Sequence, residues 1–434
     1  MLANIGRKII LGIHENTIAL ILRQNIYRRM IDSFENEDKY KEHLKNEKLK
    51  KRRKRASKQT KELLKETTEV QQPEIDEEFN TYSDIPQEIL NLKFTKPNPA
   101  KIGSFSNLML NMKSRSYRER HNACLLEGKF LIADAMKSGM FVRSLYFSRL
   151  QNLVGLPVDL LPKINLIKVG FKEIQQASEV KVQTDGLLAI ASKQDEITRK
   201  KVISQRNELL HENDESLLPI TLVCDNIRDA GNMGTILRGA AAAGCEQVIT
   251  TKGCVDIWDS KAIRAGAGAH FKIPIEHSLT WDEVREALQK FDIQNVQLSH
   301  HSAENMRLSE LVTDFRLFKE DSEFYKELTG DMNIKDNDVT INNYKNVIFE
   351  SKPYYDVTYE KGHTVVIIGG EVHGVSADAC QFALEATKAG KRKVEGYMGL
   401  INIPMFVGSD CLNTAVAASI ILFDARRKML IEMN

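Results

Sequence analysis

Cysteine is scarce in this chain: six in 434 residues, at Cys124, Cys224, Cys245, Cys254, Cys380 and Cys411. No two stand as Cys-x-x-Cys, which argues against a zinc site. So few scattered thiols in a chain of this length fit a reducing compartment rather than a disulfide scaffold. Long apolar runs are also missing, since none approaches the ~20 residues that span a bilayer. Charge of one sign is not in excess either: 61 basic residues face 59 acidic ones, so the overall balance does not by itself announce a nucleic-acid binder. A P-loop and a complete Gly-x-Gly-x-x-Gly are both absent. Gly266, Ala267 and Gly268 begin the latter, but Phe271 stands where its third glycine would be. What remains is an ordinary apolar content of 42%, enough for a sizeable core, in a length that allows two or three domains.

The distribution of charge is more informative than its sum. Residues 1–35 contain Arg7, Lys8, Arg23, Arg28 and Arg29, interleaved with Ile9, Ile10, Leu11, Ile18, Leu20, Ile21 and Leu22, and Glu15 is the sole acid before Asp32. A basic, acid-poor, amphipathic start is the pattern of a mitochondrial transit peptide; an ordinary amphipathic helix is the plainer alternative. Residues 36–95 are dense in charge and poor in large apolar side chains, and read as a disordered linker. Their basic run, Lys50 to Arg55, suits a solvated charge block, an RNA-backbone contact or a nuclear localisation signal.

From about residue 98 the pattern becomes globular. Residues 125–137 carry Phe130, Ile132, Ala133 and Met136 at helical spacing, and 144–147, 166–169 and 187–191 read as short strands. Together they predict a small α/β domain over 98–193, followed by a polar linker at 193–216. A second α/β unit over 217–434 opens with a strand at 220–224. It continues with a small-residue helix at 234–243, strands at 247–250 and 365–368, and a final amphipathic helix at 412–428 with Leu412, Val416, Ile420 and Phe423 on one side. The polar stretch 300–362 is too long for an ordinary connection and is read as an insertion.

Three short motifs in this second unit point to chemistry. The first runs from Asn226 to Arg238 and includes Asn232 and Gly234. It follows a strand and opens a helix, where backbone N–H groups and a helix dipole meet a polar ligand. Asn232 and Arg238 are six apart and need not share a helix face, so a turn at Gly234 is expected to bring them together. The second, from Val365 to Ser376, is an apolar strand ending in a glycine-rich turn that carries Glu371; strand-end loops of α/β sheets are where ligands bind. His373 in this turn reads as a loop residue. In the third, Pro404 holds Ile403 extended, leaving its backbone free to read a flat heterocycle. Asn413 opens the last helix as either a cap or a ligand contact.

These motifs, in this order, resemble those of the SpoU/TrmH family of SPOUT RNA methyltransferases, over residues ~100 to 434. The resemblance implies an α/β methyltransferase domain with a C-terminal trefoil knot. It also implies a smaller N-terminal domain like ribosomal protein L30e, matched at 115–128 and near Thr184, Asp185 and Gly186. By the same resemblance the chain is a homodimer that uses S-adenosylmethionine to methylate a ribose 2′-hydroxyl. Asn232, Arg238, Glu371 and Asn413 match the catalytic positions, and Gly369, Ile403 and Leu412 match positions whose backbones surround the cofactor. Two positions depart from the family pattern: Gly370 replaces an asparagine and Cys411 replaces a serine. Arg115, Arg118 and Arg120 are the expected RNA contacts. With its basic start the chain looks like the mitochondrial branch of this family, and that resemblance implies the matrix as location and a guanosine of large-subunit rRNA as target. A non-catalytic RNA-binding assembly factor with the same fold and a tRNA methyltransferase are the alternatives.

Overall fold

A computed structural model describes residues 85–96, 102–178, 185–193, 196–213, 216–300, 306–307, 348–359, 362–371, 374–389, 397–407 and 411–432. The basic N-terminal segment, most of the charged stretch after it, most of the 300–362 insertion and His373 lie outside these residues. Residues 85–434 form one compact unit.

Its elements, in chain order, are α1 (Gln87–Leu90), α2 (Ile102–Met112), α3 (Arg115–His121), β1 (Ala123–Glu127), α4 (Lys129–Lys137), β2 (Val142–Phe147), β3 (Asn165–Lys168), α5 (Phe171–Ala177), β4 (Leu187–Ser192) and α6 (Glu196–Asn213). They continue with β5 (Leu218–Asp225), α7 (Ala230–Ala243), β6 (Cys245–Thr251), α8 (Ser260–Gly266), β7 (Ile275–Leu279), α9 (Trp281–Leu288), β8 (Ile293–Ser299), β9 (Met306–Arg307) and β10 (Ile348–Pro353). The last four are β11 (His363–Gly369), α10 (Ala377–Ala389), β12 (Tyr397–Asn402) and α11 (Thr414–Glu432).

Two sheets organise the unit. The smaller has the order β1-β4-β2-β3, with only β2 and β3 parallel. The larger has the order β7-β6-β5-β11-β8-β12-β10-β9 and is parallel throughout except at the β9–β10 edge. Its central strands are apolar runs because both faces are covered. Along β11, Val366 and Ile368 face one cluster, shared with Ile421 and Leu422 of α11 and Ile236 of α7. Val365 and Ile367 face the other, shared with Val284 of α9 and Phe382 of α10.

Several elements depart from the sequence expectation. The helix expected over 125–137 gives its first residues to β1. Gly128, at φ 94°, separates strand from helix, and Phe130 is 85% exposed instead of packed. Residues 85–96, read as the end of a linker, are folded: Ile89 is fully buried and the Thr95 N–H donates to Leu166 O at 2.9 Å. The polar linker after residue 193 contains the helix α6, polar on nearly every face but anchored through buried Val202 and by Arg206, which donates to Glu246 O at 2.9 Å. On α11 the expected face is inverted. Ala415, Ala418, Ile421, Leu422 and Ala425 are buried, whereas Val416 and Phe423 are about half exposed.

Gly234 makes no turn; it lies inside α7. A Cβ there would come within 2.2 Å of Ala262 O and 2.8 Å of the Ala265 Cβ, so the glycine is what lets α7 and α8 touch backbone to backbone. Among the described residues no helix is long and apolar enough to cross a membrane, no cluster of three or more His, Cys, Asp or Glu is arranged to hold a metal, and the six cysteines are unpaired. Alanine normally favours a helix over glycine, yet Gly234→Ala is expected to destabilise the protein by about 1–3 kcal/mol, because the helices must separate. Urea unfolding checks it: an unchanged or raised midpoint would show that the contact is slack.

Candidate active site

β5, β11 and β12 are parallel and end on the same side of the sheet, so the segments that follow them converge there. After β5 the chain turns through Asn226, at φ 56°, and enters α7. Asp229 caps that helix, its Oδ1 accepting from the Asn232 N–H at 2.8 Å. Asn232 is thereby held in the first turn. After β11 comes the turn that carries Glu371, and after β12 the strand exit leads through Ile403 and Leu412 to Asn413 at the head of α11.

Asn413 caps α11 and at the same time reaches the other two motifs. Its Oδ1 accepts from the N–H groups of Ala415 and Val416 at 3.0 and 3.3 Å. With the oxygen committed to the cap, the amide nitrogen must point outward, and it donates to Asn232 Oδ1 and to Glu371 Oε1, both at 3.0 Å. Asn232 Nδ2 donates to the same Glu371 oxygen. Three residues from three separate motifs therefore close a triangle of hydrogen bonds. The two asparagines that hold this one carboxylate stand at the heads of two helices, α7 and α11.

The supporting side chain that sequence reading passed over is Asp225, at the end of β5 and 1% exposed. Its carboxylate accepts from Thr251 Oγ1 at 3.0 Å and from the Ser376 N–H at 2.6 Å. It thus ties the end of β5 to the far end of the Glu371 turn. Burial pushes its pKa up, while the bonds from Ser376 and Thr251 oppose the rise. A carboxylate closing an apolar strand is the signal that could have flagged it.

The turn itself is set by backbone contacts. Gly370 and Gly374 exchange hydrogen bonds at 3.1 and 2.9 Å. A Cβ on Gly369 would lie 2.0 Å from Gly374 C, and one on Gly370 would lie 2.6 Å from Asn226 O. The glycine that departs from the family pattern is thus the residue that fits against the left-handed Asn226. Cys411, the other departure, is exposed.

The remaining expected residues fall in different places. Gly369 ends β11, and Ile403 and Leu412 are half-buried outside regular structure at the exit of β12 and the approach to α11. Arg238 is exposed on α7, about 240° around the helix from Asn232, and no hydrogen bond joins it to the triangle among the described residues. Arg115 and Arg120 are exposed on α3. Arg118 is 2% exposed and bonded to Asp256 at 2.8 Å, which corrects the expectation that it meets RNA: its guanidinium is turned into the protein.

Residues 219–321 match the SpoU rRNA Methylase family. The chain is 38% identical over 330 residues to rRNA methyltransferase 3, mitochondrial, of Mus musculus, covering 76% of this chain and 73% of that one. It is 37% identical over 335 residues to the Homo sapiens protein of the same name, covering 75% and 72%. In fold it is similar to the SpoU methyltransferase AviRb from Streptomyces viridochromogenes, solved in complex with AdoMet, with TM-score 0.52 at 18% identity over 77% of this chain and 99% of that one. An α/β methyltransferase architecture on a parallel sheet and this extent of identity agree: the chain belongs to the SpoU family of RNA methyltransferases and is similar to the proteins named rRNA methyltransferase 3, mitochondrial.

Proposed function

We propose that the chain transfers the methyl group of S-adenosylmethionine to the ribose 2′-hydroxyl of a guanosine in mitochondrial large-subunit rRNA, in the mitochondrial matrix. The observation that carries this is the Asn232–Glu371–Asn413 triangle at the strand ends of the parallel sheet. The relatives named mitochondrial rRNA methyltransferase 3 support the substrate class and the compartment.

The residues at the site suit the cofactor. Gly369 ends its strand in a turn with no room for a side chain, and Ile403 and Leu412 are half-buried residues outside the strand ladder and the last helix. These would hold the cofactor's adenosine portion. When bound, it supplies an electrophilic methyl on a sulfonium, so the protein has to position the ribose hydroxyl and stabilise the charge that develops on its oxygen. Glu371 and the two asparagines supply fixed polar groups for the ribose. Arg238 brings a fixed cation with a planar donor fork, suited to a developing alkoxide and to a neighbouring phosphate at once. Arg115 and Arg120 are the proposed RNA contacts of α3.

The finer architecture belongs to the same reading. Residues 98–193 are proposed as an L30e-like RNA-binding domain and 217–434 as the methyltransferase domain with a trefoil knot. The knot is supported by the chain's return from β12, beyond β8, to pack α11 against α7 and β5. A homodimer is supported by the apolar residues α11 leaves exposed, Val416, Phe423, Leu430 and Ile431, and by Phe406 and Val407 beside the site.

Methyl transfer from labelled S-adenosylmethionine tests the activity, with mitochondrial large-subunit rRNA and a tRNA as substrates. Label is expected on the rRNA, with Arg238→Ala lowering turnover by about 10²-fold or more. Cofactor binding without label on either RNA would favour a non-catalytic assembly factor instead, and label on tRNA alone would reassign the substrate. Asn413→Ala is expected to cost about 1 kcal/mol of stability and to lower turnover. Asn413→Asp keeps the cap acceptor but sets a second acid oxygen against Glu371 in place of a donor, so it should lose turnover, and stability as well through repulsion within the triangle. An Asp variant as active as the parent would remove Asn413 from the site.

A further inference from the structure

Arg118 sits on α3 between the two exposed arginines proposed to meet RNA, yet its own side chain points the other way. Its guanidinium uses all of its nitrogens inside the protein. Nη1 donates to the carbonyls of Met112 and Lys113 at 3.0 and 2.9 Å. Nε and Nη2 donate to Asp256 Oδ2 at 3.0 and 2.8 Å, and Nη2 also reaches Asp259 Oδ2 at 3.3 Å. Burial alone would push Asp256 up, but the bond and charge of Arg118 hold its carboxyl below the usual range.

From Asp259 the contacts continue toward the active site without a break. The other carboxylate oxygen of Asp259, Oδ1, accepts from the Lys261 N–H at 3.0 Å and caps α8. The Lys261 ammonium donates to Asp229 Oδ2 at 2.7 Å. Asp229 Oδ1 accepts from the Asn232 N–H at 2.8 Å, and Asn232 belongs to the triangle with Glu371 and Asn413. Packing runs in parallel with this relay, because α7 and α8 meet at Gly234 with no space for a methyl group. A displacement of α8 therefore displaces the first turn of α7.

We propose that Arg118 is a positioning residue: through Asp259, Lys261 and Asp229 it couples the seating of RNA on α3 to the placement of Asn232. Resting as it does on the reading of Asn232 as catalytic, this assigns a role to residues far from the reacting atoms. A single buried ion pair would suffice to dock α3. The arrangement instead makes five hydrogen bonds to four acceptor atoms, two of them backbone carbonyls where α2 leads into α3, which demands a planar fork that lysine cannot supply. RNA bound at Arg115 and Arg120 thereby shifts a helix whose neighbouring side chain grips the cap of α8.

Steady-state methyl transfer with Arg118→Lys, Lys261→Met and the double variant tests the coupling, beside Asn232→Ala. Lys261 is half exposed, so its loss should leave the fold intact. Each single variant is expected to lower kcat about tenfold, since small misplacements at a distance are costly to catalysis, with KM for RNA within about twofold of the parent. The double variant should match the worse single one, because both break the same relay. Unchanged kcat in Lys261→Met, independent effects that multiply, or a raised KM with a flatter salt dependence would each overturn the proposal, the last by making Lys261 an RNA contact. If Arg118→Lys does not fold, Asp259→Asn, which keeps an α8 cap but loses the charge facing Arg118, takes its place in the cycle. Full turnover in Asn232→Ala would overturn the reading of the site itself, whereas loss in Asn232→Ala with parental kcat in the relay variants would overturn the relay alone.

Discussion

The amide of Asn413 is the point on which the site depends. One atom of it terminates α11 by accepting two backbone N–H groups, and the other donates to both remaining corners of the triangle. Neither task can be reoriented without the other, so the same bond set that starts the last helix also aims the side chains proposed to meet the substrate. The helix in turn is held by close packing against α7, where a Cβ on Gly239 would fall 2.9 Å from Ser419 Oγ. Site geometry is thus a consequence of helix packing at the carboxyl ends of parallel strands, rather than of any one loop.

Charge placement follows the same logic. Glu371 is held by side chains from the heads of two helices, and Asp229 and Asp259 each cap a helix while accepting from a cation. The Lys261 bond holds the Asp229 carboxyl below its ordinary range. Buried Asp225 fastens β5 to the Glu371 turn. Asp225, Asp229 and Asp259 are thus used as joints: each takes a backbone N–H with one oxygen and a second element with the other.

Much of this was legible in the sequence, and the residues show why the rest was not. β5 and β11 announced themselves as apolar runs because both faces of a parallel sheet are buried. Asn232, Glu371 and Asn413 stood out through the three motifs taken together and the family resemblance those motifs carry, since an asparagine at a helix start is by itself an ordinary cap. The inverted face of α11 was hidden by a packing effect. Close approach to α7 selects Ala415 and Ala418 for the inside, and the bulky residues that a periodicity reading favours are left outside. Helix α6 was missed because a nearly all-polar helix has no stripe to detect. Arg118 resembled its exposed neighbours because its partner, Asp256, lies 138 residues away, and no local pattern encodes a long-range ion pair.

The central claim is that these three polar side chains direct a methyl group to a ribose oxygen. Nucleoside mass spectrometry of large-subunit rRNA after reaction with the protein tests it most directly, since it separates a methyl on the sugar from one on the base. The account predicts a 2′-O-methylated nucleoside that disappears with Asn232→Ala. A methyl found on the base, or a ribose methyl that persists in that variant, would contradict it.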